Sequence, residues 1–357
     1  MSQAPGASPA VGPETGPPAN RFGTETAPQP ARRGSWGQRL RARLLGRIAR
    51  LLMALPEEPV NALGEAAGEL WYRVAPGRAE RARRNYRRVA LHLVMRDLAN
   101  RTTRAAAADP AALERLVRRA FRQAVRYYLD MMRLPGRSQA ELGERLVVET
   151  PDAVADAFDH PGPRIFTSMH FGAVEFPALF AAARTGERIT APMETLGDPE
   201  LQAWIVETRS SVGVDLVGLR DARRALTARL DEGGTVGMVV DRNVAGGTVD
   251  VPFFGAMAPL PMGPALLASD RGLPIWLAAV RRGPAGRYYG QLRRVDLPAQ
   301  GNRRTRLTGG MKALAEAMEE AIAVAPEQWW SIFFPIWPDL DPEAIAGTGR
   351  LEAEPAR

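Results

Sequence analysis

The sequence has 357 residues, and its content of 45% hydrophobic and 24% charged residues is ordinary for a globular protein. A wholly disordered or fibrous chain is therefore excluded. Its 47 basic and 40 acidic residues leave a net charge of +7, which keeps phosphate-bearing ligands, nucleic acid and an anionic bilayer open as partners. Without cysteine the chain has no disulfide or cysteine nucleophile, and three histidines are too few for a histidine-rich site, so we expect no metal.

The N-terminal part combines a tail with a basic amphipathic segment. Proline, glycine, alanine and threonine dominate residues 1–35 and predict a disordered tail, and residues 341–357 predict a second, flexible one. Residues 36–55 carry leucine and isoleucine at steps of three and four, with arginines on the other side, before Pro56. Such a helix either packs on the domain or lies on an anionic membrane, and the pattern alone leaves both open. No stretch reaches the roughly 20 apolar residues that span a bilayer.

The pattern of apolar residues along the chain changes near residue 145. Residues 36–140 are rich in alanine, leucine and arginine and predict a helical region; Asp109 and Pro110 begin one helix, which should run to Pro135. Short apolar runs then alternate with helix-length segments as far as residue 340, ending with the run WWSIFFP. This alternation predicts an α/β domain over residues 141–340, with a largely parallel central sheet flanked by helices.

The segment TSMHFGAVEFPALF holds the first candidate for chemistry. A buried strand should deliver His170, and Glu175 follows with the spacing H-x4-E. The two side chains can meet only if His170 lies on a strand-to-helix turn and Glu175 in the first turn of the helix, because five residues on one helix diverge. A carboxylate beside an imidazole makes a general base, and with no protein nucleophile in the motif, the substrate should supply the hydroxyl. A solitary histidine capping a helix is the alternative.

The motif alone is weak, but four later segments of the sequence add a resemblance to a known protein family. They read APMETLGDPELQAWIVETRSSVG, VVDRNVAGGTVDVPFFG, PMGPALLASDRGLPIWLAAVRR and EQWWSIFFPIWPDL. In this order, the sequence resembles the lipid A biosynthesis and phosphatidylinositol mannoside acyltransferase branch of the lysophospholipid acyltransferase superfamily over most of the chain. The resemblance implies a glycerol-3-phosphate acyltransferase-like fold and a membrane-associated O-acyltransferase.

The resemblance also implies roles for individual residues. His170 would deprotonate the acceptor hydroxyl, which then attacks an acyl thioester, and Glu175 would orient His170. Glu194 and Arg209 match a pair that supports the site and contacts the acceptor or the developing charge; a structural salt bridge is the alternative.

The blocks further along the chain would bind substrate. Asp241 and Arg242 match a D-R block, in which the planar guanidinium of Arg242 suits a phosphate, although a plain ion pair is the alternative. Phe253, Phe254 and Gly255 would shape the acyl and pantetheine channel, or the two phenylalanines would simply pack in the core.

The expected partners follow from this resemblance. The donor would be acyl-CoA or an acyl carrier protein as co-substrate, the acceptor a lipid or glycolipid, and no permanent cofactor or metal is implied. The enzyme would lie at the cytoplasmic face of the plasma membrane, on an anionic surface and without nucleic acid. Two other hypotheses remain at this stage: a basic nucleic-acid-binding protein, and an inactive acyltransferase fold that serves as a lipid-binding scaffold.

Overall fold

The computed structural model of the protein describes residues 34–136, 139–159, 161–244 and 247–341. Both predicted tails lie outside these residues, apart from Gly34, Ser35 and Asp341. Twelve helices of seven or more residues occur in the described chain: α1 (Trp36–Ala54), α2 (Glu57–Val74), α3 (Pro76–Met95), α4 (Arg101–Ala108), α5 (Pro110–Arg133), α6 (Gln139–Arg145), α7 (Pro151–Phe158), α8 (Phe176–Thr185), α9 (Pro199–Ser210), α10 (Ala222–Asp231), α11 (Gly263–Arg271) and α12 (Arg303–Val324).

The N-terminal helices begin where their capping residues require. Ser35 forms a capping box with Gln38 at the start of α1, and the carboxylate of Asp109 accepts hydrogen bonds from the first free backbone amides of α5. Both helices agree with the sequence prediction, and α1 ends at Ala54, two residues before Pro56. Within the described ranges, no helix has the length and apolar character needed to cross a membrane.

A seven-stranded sheet follows the helical region, in the order β1-β9-β8-β2-β5-β3-β4. All neighbouring pairs are parallel except β8 and β9, which are antiparallel, so the predicted α/β architecture with a largely parallel sheet is confirmed. A separate antiparallel pair, β6 and β7, follows β5 in the chain. The strands are β1 (Leu146–Val148), β2 (Arg164–Ser168), β3 (Ile189–Met193), β4 (Val214–Gly218), β5 (Thr235–Val239), β6 (Thr248–Phe253), β7 (Ala256–Pro261), β8 (Ile275–Arg282) and β9 (Tyr288–Val295).

The run WWSIFFP is not a strand, contrary to the prediction. Residues Trp330–Phe333 form a short 3-10 helix, and Trp329 makes only a single bridge, to Phe171. The reason is local: the Trp330 amide donates to the carbonyl of His170, and the Trp329 indole donates to a carboxylate, so this segment is tied to a loop by isolated contacts instead of a ladder.

One hydrophobic core joins the helical region to the sheet. Tyr86 of α3 and Phe121 of α5 are fully buried, in the same cluster as Trp329 and Phe333 near the C-terminus. The rings of Phe121 and Phe333 pack edge to face with centroids 4.6 Å apart, and the Tyr86 hydroxyl donates to the carbonyl of Pro326 at 2.9 Å. The first helices therefore pack on the C-terminal segment as part of one core.

The contact between α2 and α5 depends on a glycine. A Cβ at position 68 would lie 2.5 Å from the Arg122 Cα, whereas one at position 46 of α1 would meet nothing within 4 Å. We expect Gly68→Ala to lower the free energy of unfolding by about 1–3 kcal/mol through overpacking. Gly46→Ala should raise it by up to about 1 kcal/mol through helix propensity alone. Urea unfolding of both variants checks this; equal midpoints would contradict the close packing.

Candidate active site

The site begins with two residues that follow neighbouring parallel strands. Ser168 of β2 lies opposite Val239 of β5, and His170 and Asp241 each come two residues later. They therefore meet at the carboxyl edge of the sheet, where open α/β folds bind their ligands. His170 Nδ1 lies 2.7 Å from Asp241 Oδ1, and the imidazole keeps 18% of its side chain exposed while the carboxylate is fully buried.

The carboxylate of Asp241 is held from several sides. Its Oδ2 accepts the backbone amide of His170 at 3.0 Å and the indole N–H of Trp329 at 2.8 Å. Burial raises the pKa of Asp241, but the His170 imidazole and the hydrogen bonds from His170, Trp329 and Ser331 outweigh this, so its pKa lies below the ordinary value. Asp241 is therefore a charged partner that fixes the orientation of the imidazole.

The loop that carries His170 turns sharply at Gly172. Its φ is +56°, and a Cβ there would lie 2.0 Å from the carbonyl oxygen of Val280, so only glycine fits. The Gly172 amide donates to the Gln328 carbonyl at 3.0 Å, and the Trp330 amide donates to the His170 carbonyl at 3.0 Å. The Trp330 ring packs edge to face on the imidazole, with centroids 4.3 Å apart. The histidine is thus braced on its backbone and on its ring.

The structure corrects the predicted pairing of His170 with Glu175. Glu175 is the residue just before α8, and its carboxylate accepts the Tyr127 hydroxyl at 3.0 Å and pairs with Arg209 at 3.5 Å. The two residues are not hydrogen-bonded to each other: the imidazole Nδ1 contacts Asp241, and the Glu175 carboxylate contacts Tyr127 and Arg209. Burial raises the pKa of Tyr127, and the Glu175 charge raises it further, so the phenol stays protonated as the donor.

Glu194 and Arg209 are likewise not an ion pair among the described residues. Arg209 reaches Glu175 instead, and burial lowers its pKa less than Tyr127 and Glu175 raise it, so the guanidinium stays charged. Glu194 directly follows β3, which lies next to β5 in the sheet. It is therefore at the same carboxyl edge as His170 and Asp241, half-buried and with no side-chain hydrogen bond or ion pair within the described chain.

Arg242 and the phenylalanines occupy different environments. Arg242 lies 3.8 Å above the Phe334 ring and lines a cavity beside Asp241. Phe253 and Phe254 are 0% and 1% exposed and pack on Trp329, which favours the core-packing alternative over direct contact with a channel. Gly255 completes the turn between β6 and β7, against His92.

An apolar cleft of about 100 Å³ lies beneath α8. Ser168 and Val239, two residues before His170 and Asp241, line it at the carboxyl edge, together with Glu175 and Arg209. Most of the remaining lining is apolar and includes Phe166, Ala178, Ala181, Ile189, Val214 and Leu216. The histidine is therefore next to one end of a space that suits a hydrocarbon chain. The described residues contain no cluster of three or more His, Asp or Glu side chains placed to bind a metal.

Comparison with known proteins identifies the family. Residues 42–334 match the model for bacterial lipid A biosynthesis acyltransferases, which is most of the chain. The protein belongs to this acyltransferase family. The acyltransferase is also 26% identical, over 84% of its own chain and 92% of the relative, to a phosphatidylinositol mannoside acyltransferase of Mycolicibacterium smegmatis. Two relatives with the same description, from Mycobacterium tuberculosis strains CDC 1551 and H37Rv, are each 25% identical over 57% of this chain and 65% of theirs.

The sequence interpretation missed the residues that brace the acyltransferase site. Asp241 was expected to bind substrate, yet it is the hydrogen-bond partner of His170. Asp241 follows β5 by two residues, as His170 follows β2, and this equal spacing was the signal in the sequence that could have paired the two residues. Trp329 and Ser331 touch Asp241 or His170 from the run that was interpreted as a strand, and no spacing rule links them to residue 170.

We expect the Trp329 indole N–H to matter for catalysis as well as for packing. Trp329→Phe keeps a buried ring but removes one donor from Asp241, so the acyl-transfer kcat should fall about tenfold with KM unchanged. Trp337→Phe is the matched control, since its indole donates to the Phe253 carbonyl at the same 2.8 Å within the same aromatic cluster. Both variants should lose about 1 kcal/mol of stability. An equal loss of kcat in both would contradict a specific role for Trp329.

Proposed function

We propose that this acyltransferase moves a fatty acyl chain from an acyl thioester to a hydroxyl group of a lipid or glycolipid acceptor, with His170 as the general base. One observation carries the proposal: a partly exposed imidazole is paired with a buried charged carboxylate, and each follows by two residues a strand end that lines an apolar cleft. The names of the family and of its relatives support an acyltransferase of the lipid A and phosphatidylinositol mannoside type.

The hydrogen bond to Asp241 decides which nitrogen acts as the base. With Nδ1–H donating to the carboxylate, Nε2 carries the free lone pair. Asp241 then stabilises the imidazolium that forms when Nε2 takes the proton of the acceptor hydroxyl. A positioned base of this kind contributes about 10²–10⁴-fold to the rate.

The chemical step needs no covalent enzyme intermediate. The acceptor oxygen, losing its proton to His170, attacks the thioester carbonyl carbon and forms the new C–O bond. The tetrahedral intermediate collapses by breaking the C–S bond. The proton on Nε2 passes to the leaving sulfur, which departs as a thiol, and His170 returns to its starting state.

The cleft beneath α8 is the proposed position of the acyl chain. Its lining buries a hydrocarbon tail at about 25 cal/mol for each Å² removed from water, which favours binding without polar contacts. The charged pair of Glu175 and Arg209 sits at the polar end, where a thioester carbonyl would lie. We propose that this pair orients the reacting groups of the substrates, and that it does not orient the His170 imidazole.

The surface of α1 supports membrane association. The helix packs on the protein through Ala49 and Leu52, which are buried, while a separate apolar stripe is at least half exposed. That stripe comprises Trp36, Leu40, Leu44 and Leu51, and Arg43, Arg47 and Arg50 lie beside it. We propose that the stripe enters the headgroup region of an anionic membrane while the arginines bind lipid phosphates, as at a cytoplasmic membrane face.

Loss of the His170 imidazole should strongly reduce the rate of turnover. We expect His170→Gln to reduce thiol release from acyl-CoA or acyl carrier protein, in the presence of acceptor lipid, by about 10²–10⁴-fold. Glu175→Gln should cost less, because that side chain does not touch His170. Circular dichroism and thermal unfolding control for folding. Thiol release by His170→Gln at the wild-type rate would end the proposal, and lipid mass spectrometry of a deletion strain would identify the acceptor as the species short by one acyl chain.

Charges placed on the α1 stripe should weaken membrane binding. We expect Leu40→Glu, Leu44→Glu and Leu51→Glu together to reduce partitioning into vesicles with anionic phospholipid by about tenfold or more, since each buried leucine contributes roughly 1.5–3 kcal/mol. The control carries the same charge change on exposed apolar residues elsewhere: Leu219, Met257 and Val324, each replaced by Glu. Equal loss of sedimentation with vesicles in both triple variants would refute a specific role for the stripe.

A further inference from the structure

Two arginines converge on the ring of Phe334. The Arg242 guanidinium lies 3.8 Å from the ring centroid, and that of Arg78, in the first turn of α3, lies 5.7 Å from it. Neither side chain forms a hydrogen bond or an ion pair with another described residue. An aromatic face positions a cation without neutralising it, so both charges remain available to an anion.

Three arginines further along α3, unlike Arg78, are paired with carboxylates. Arg81 and Arg84 pair with the carboxylate of Asp341, and Arg88 pairs with that of Asp339. Asp339 and Asp341 thus neutralise these three arginines, but they do not pair with Arg78. Arg78 therefore keeps its positive charge without a carboxylate partner, at the end of α3 that lies against Phe334.

This pair of arginines lies beside the catalytic histidine. Arg242 directly follows Asp241, and both line a cavity of about 80 Å³ together with Phe334 and Leu260. The Trp330 ring, which packs on His170, has its centroid 6.1 Å from that of Phe334. Burial raises the pKa of Tyr128, and the positive charges of Arg78 and Arg242 both oppose this rise.

We propose that Arg78 and Arg242 together form a binding site for a substrate phosphate next to His170. The inference rests on the proposed function, because it assigns the ligand to a substrate of the same site. Guanidinium groups bind phosphate oxygens through paired, charge-assisted hydrogen bonds, and two of them can hold one phosphate from different sides. The half-buried position of Arg242 strengthens such contacts, since bulk water screens them less.

Either substrate can bring the phosphate. A donor carried by coenzyme A has phosphates on its nucleotide end, and a phosphoinositide acceptor has a phosphodiester close to its sugar hydroxyls. The shared chemistry is a phosphate mono- or diester, and the source is an outcome of the test. Bound there, the phosphate would hold its substrate at a fixed distance from the imidazole.

The experiment measures binding without turnover, by isothermal titration calorimetry on the full-length protein. Coenzyme A is compared with phosphate-free pantetheine, and glycerophosphoinositol with phosphate-free myo-inositol. We expect Arg78→Gln and Arg242→Gln each to raise the Kd of one phosphate probe about tenfold or more, and to leave its phosphate-free partner unchanged. An effect confined to coenzyme A assigns the site to the donor, and one confined to glycerophosphoinositol assigns it to the acceptor.

Two further variants keep the test specific. Arg87→Gln is the matched control, since Arg87 is exposed on the same helix and forms no hydrogen bond or ion pair with a described residue. Arg242→Lys keeps the charge but loses the planar fork, and should give an intermediate Kd. The inference is overturned if the Arg78→Gln, Arg242→Gln double variant binds both phosphate probes as tightly as wild type, or if Arg87→Gln weakens them equally. If the wild-type protein binds the phosphate probes but transfers no acyl chain, that result contradicts the proposed reaction and not the phosphate site.

Discussion

A single negative charge, sealed away from water, organises the site. The Asp241 carboxylate is fully buried, and an isolated charge in that position would be strongly unfavourable. It is tolerated because the His170 ring, the His170 amide and the Trp329 indole all donate to it. Removing one hydrogen-bond donor from a buried group typically costs about 1–3 kcal/mol, so these donors stabilise the fold and align the base through the same contacts. The surrounding aromatic cluster of Phe253, Phe254 and Trp337 holds Trp329 in place and keeps water out.

Much of this arrangement follows from strand order and offset. His170 and Asp241 each come two residues beyond neighbouring parallel strands, so their meeting is a consequence of register once β2 and β5 are known to be adjacent. The sequence predicted the strands and both residues, but strand adjacency is a tertiary property that alternation of apolar runs does not determine. The motif spacing instead suggested Glu175 as the partner. The turn at Gly172 directs that carboxylate toward Tyr127 and Arg209, and a spacing rule carries no information about such a turn.

Sequence patterns also failed where side chains override backbone preference. WWSIFFP has the composition of a strand, yet its Trp330 amide donates to the His170 carbonyl, its Trp329 indole donates to Asp241, and its Trp329 amide donates to the nearby Pro326 carbonyl. The helix α1 was predicted correctly, but its arginines lie beside the exposed leucines and not opposite them, and the structure separates two apolar faces: one is packed on the protein and one is exposed. Periodicity alone could not distinguish them, since both consist of the same residue types.

The fastening of residues 339–341 to α3 has a consequence for how the molecule unfolds. Arg81, Arg84 and Arg88 hold residues 339–341 against a helix some 250 positions earlier, as in the 3.0 Å contact between Arg84 and Asp341 that spans 257 positions. These ion pairs join α3 to residues 339–341, and Tyr86 of α3 and Phe121 of α5 lie in the same hydrophobic core as the neighbouring Trp337. The helical region therefore should not unfold separately from the sheet, and the protein should denature in one cooperative step.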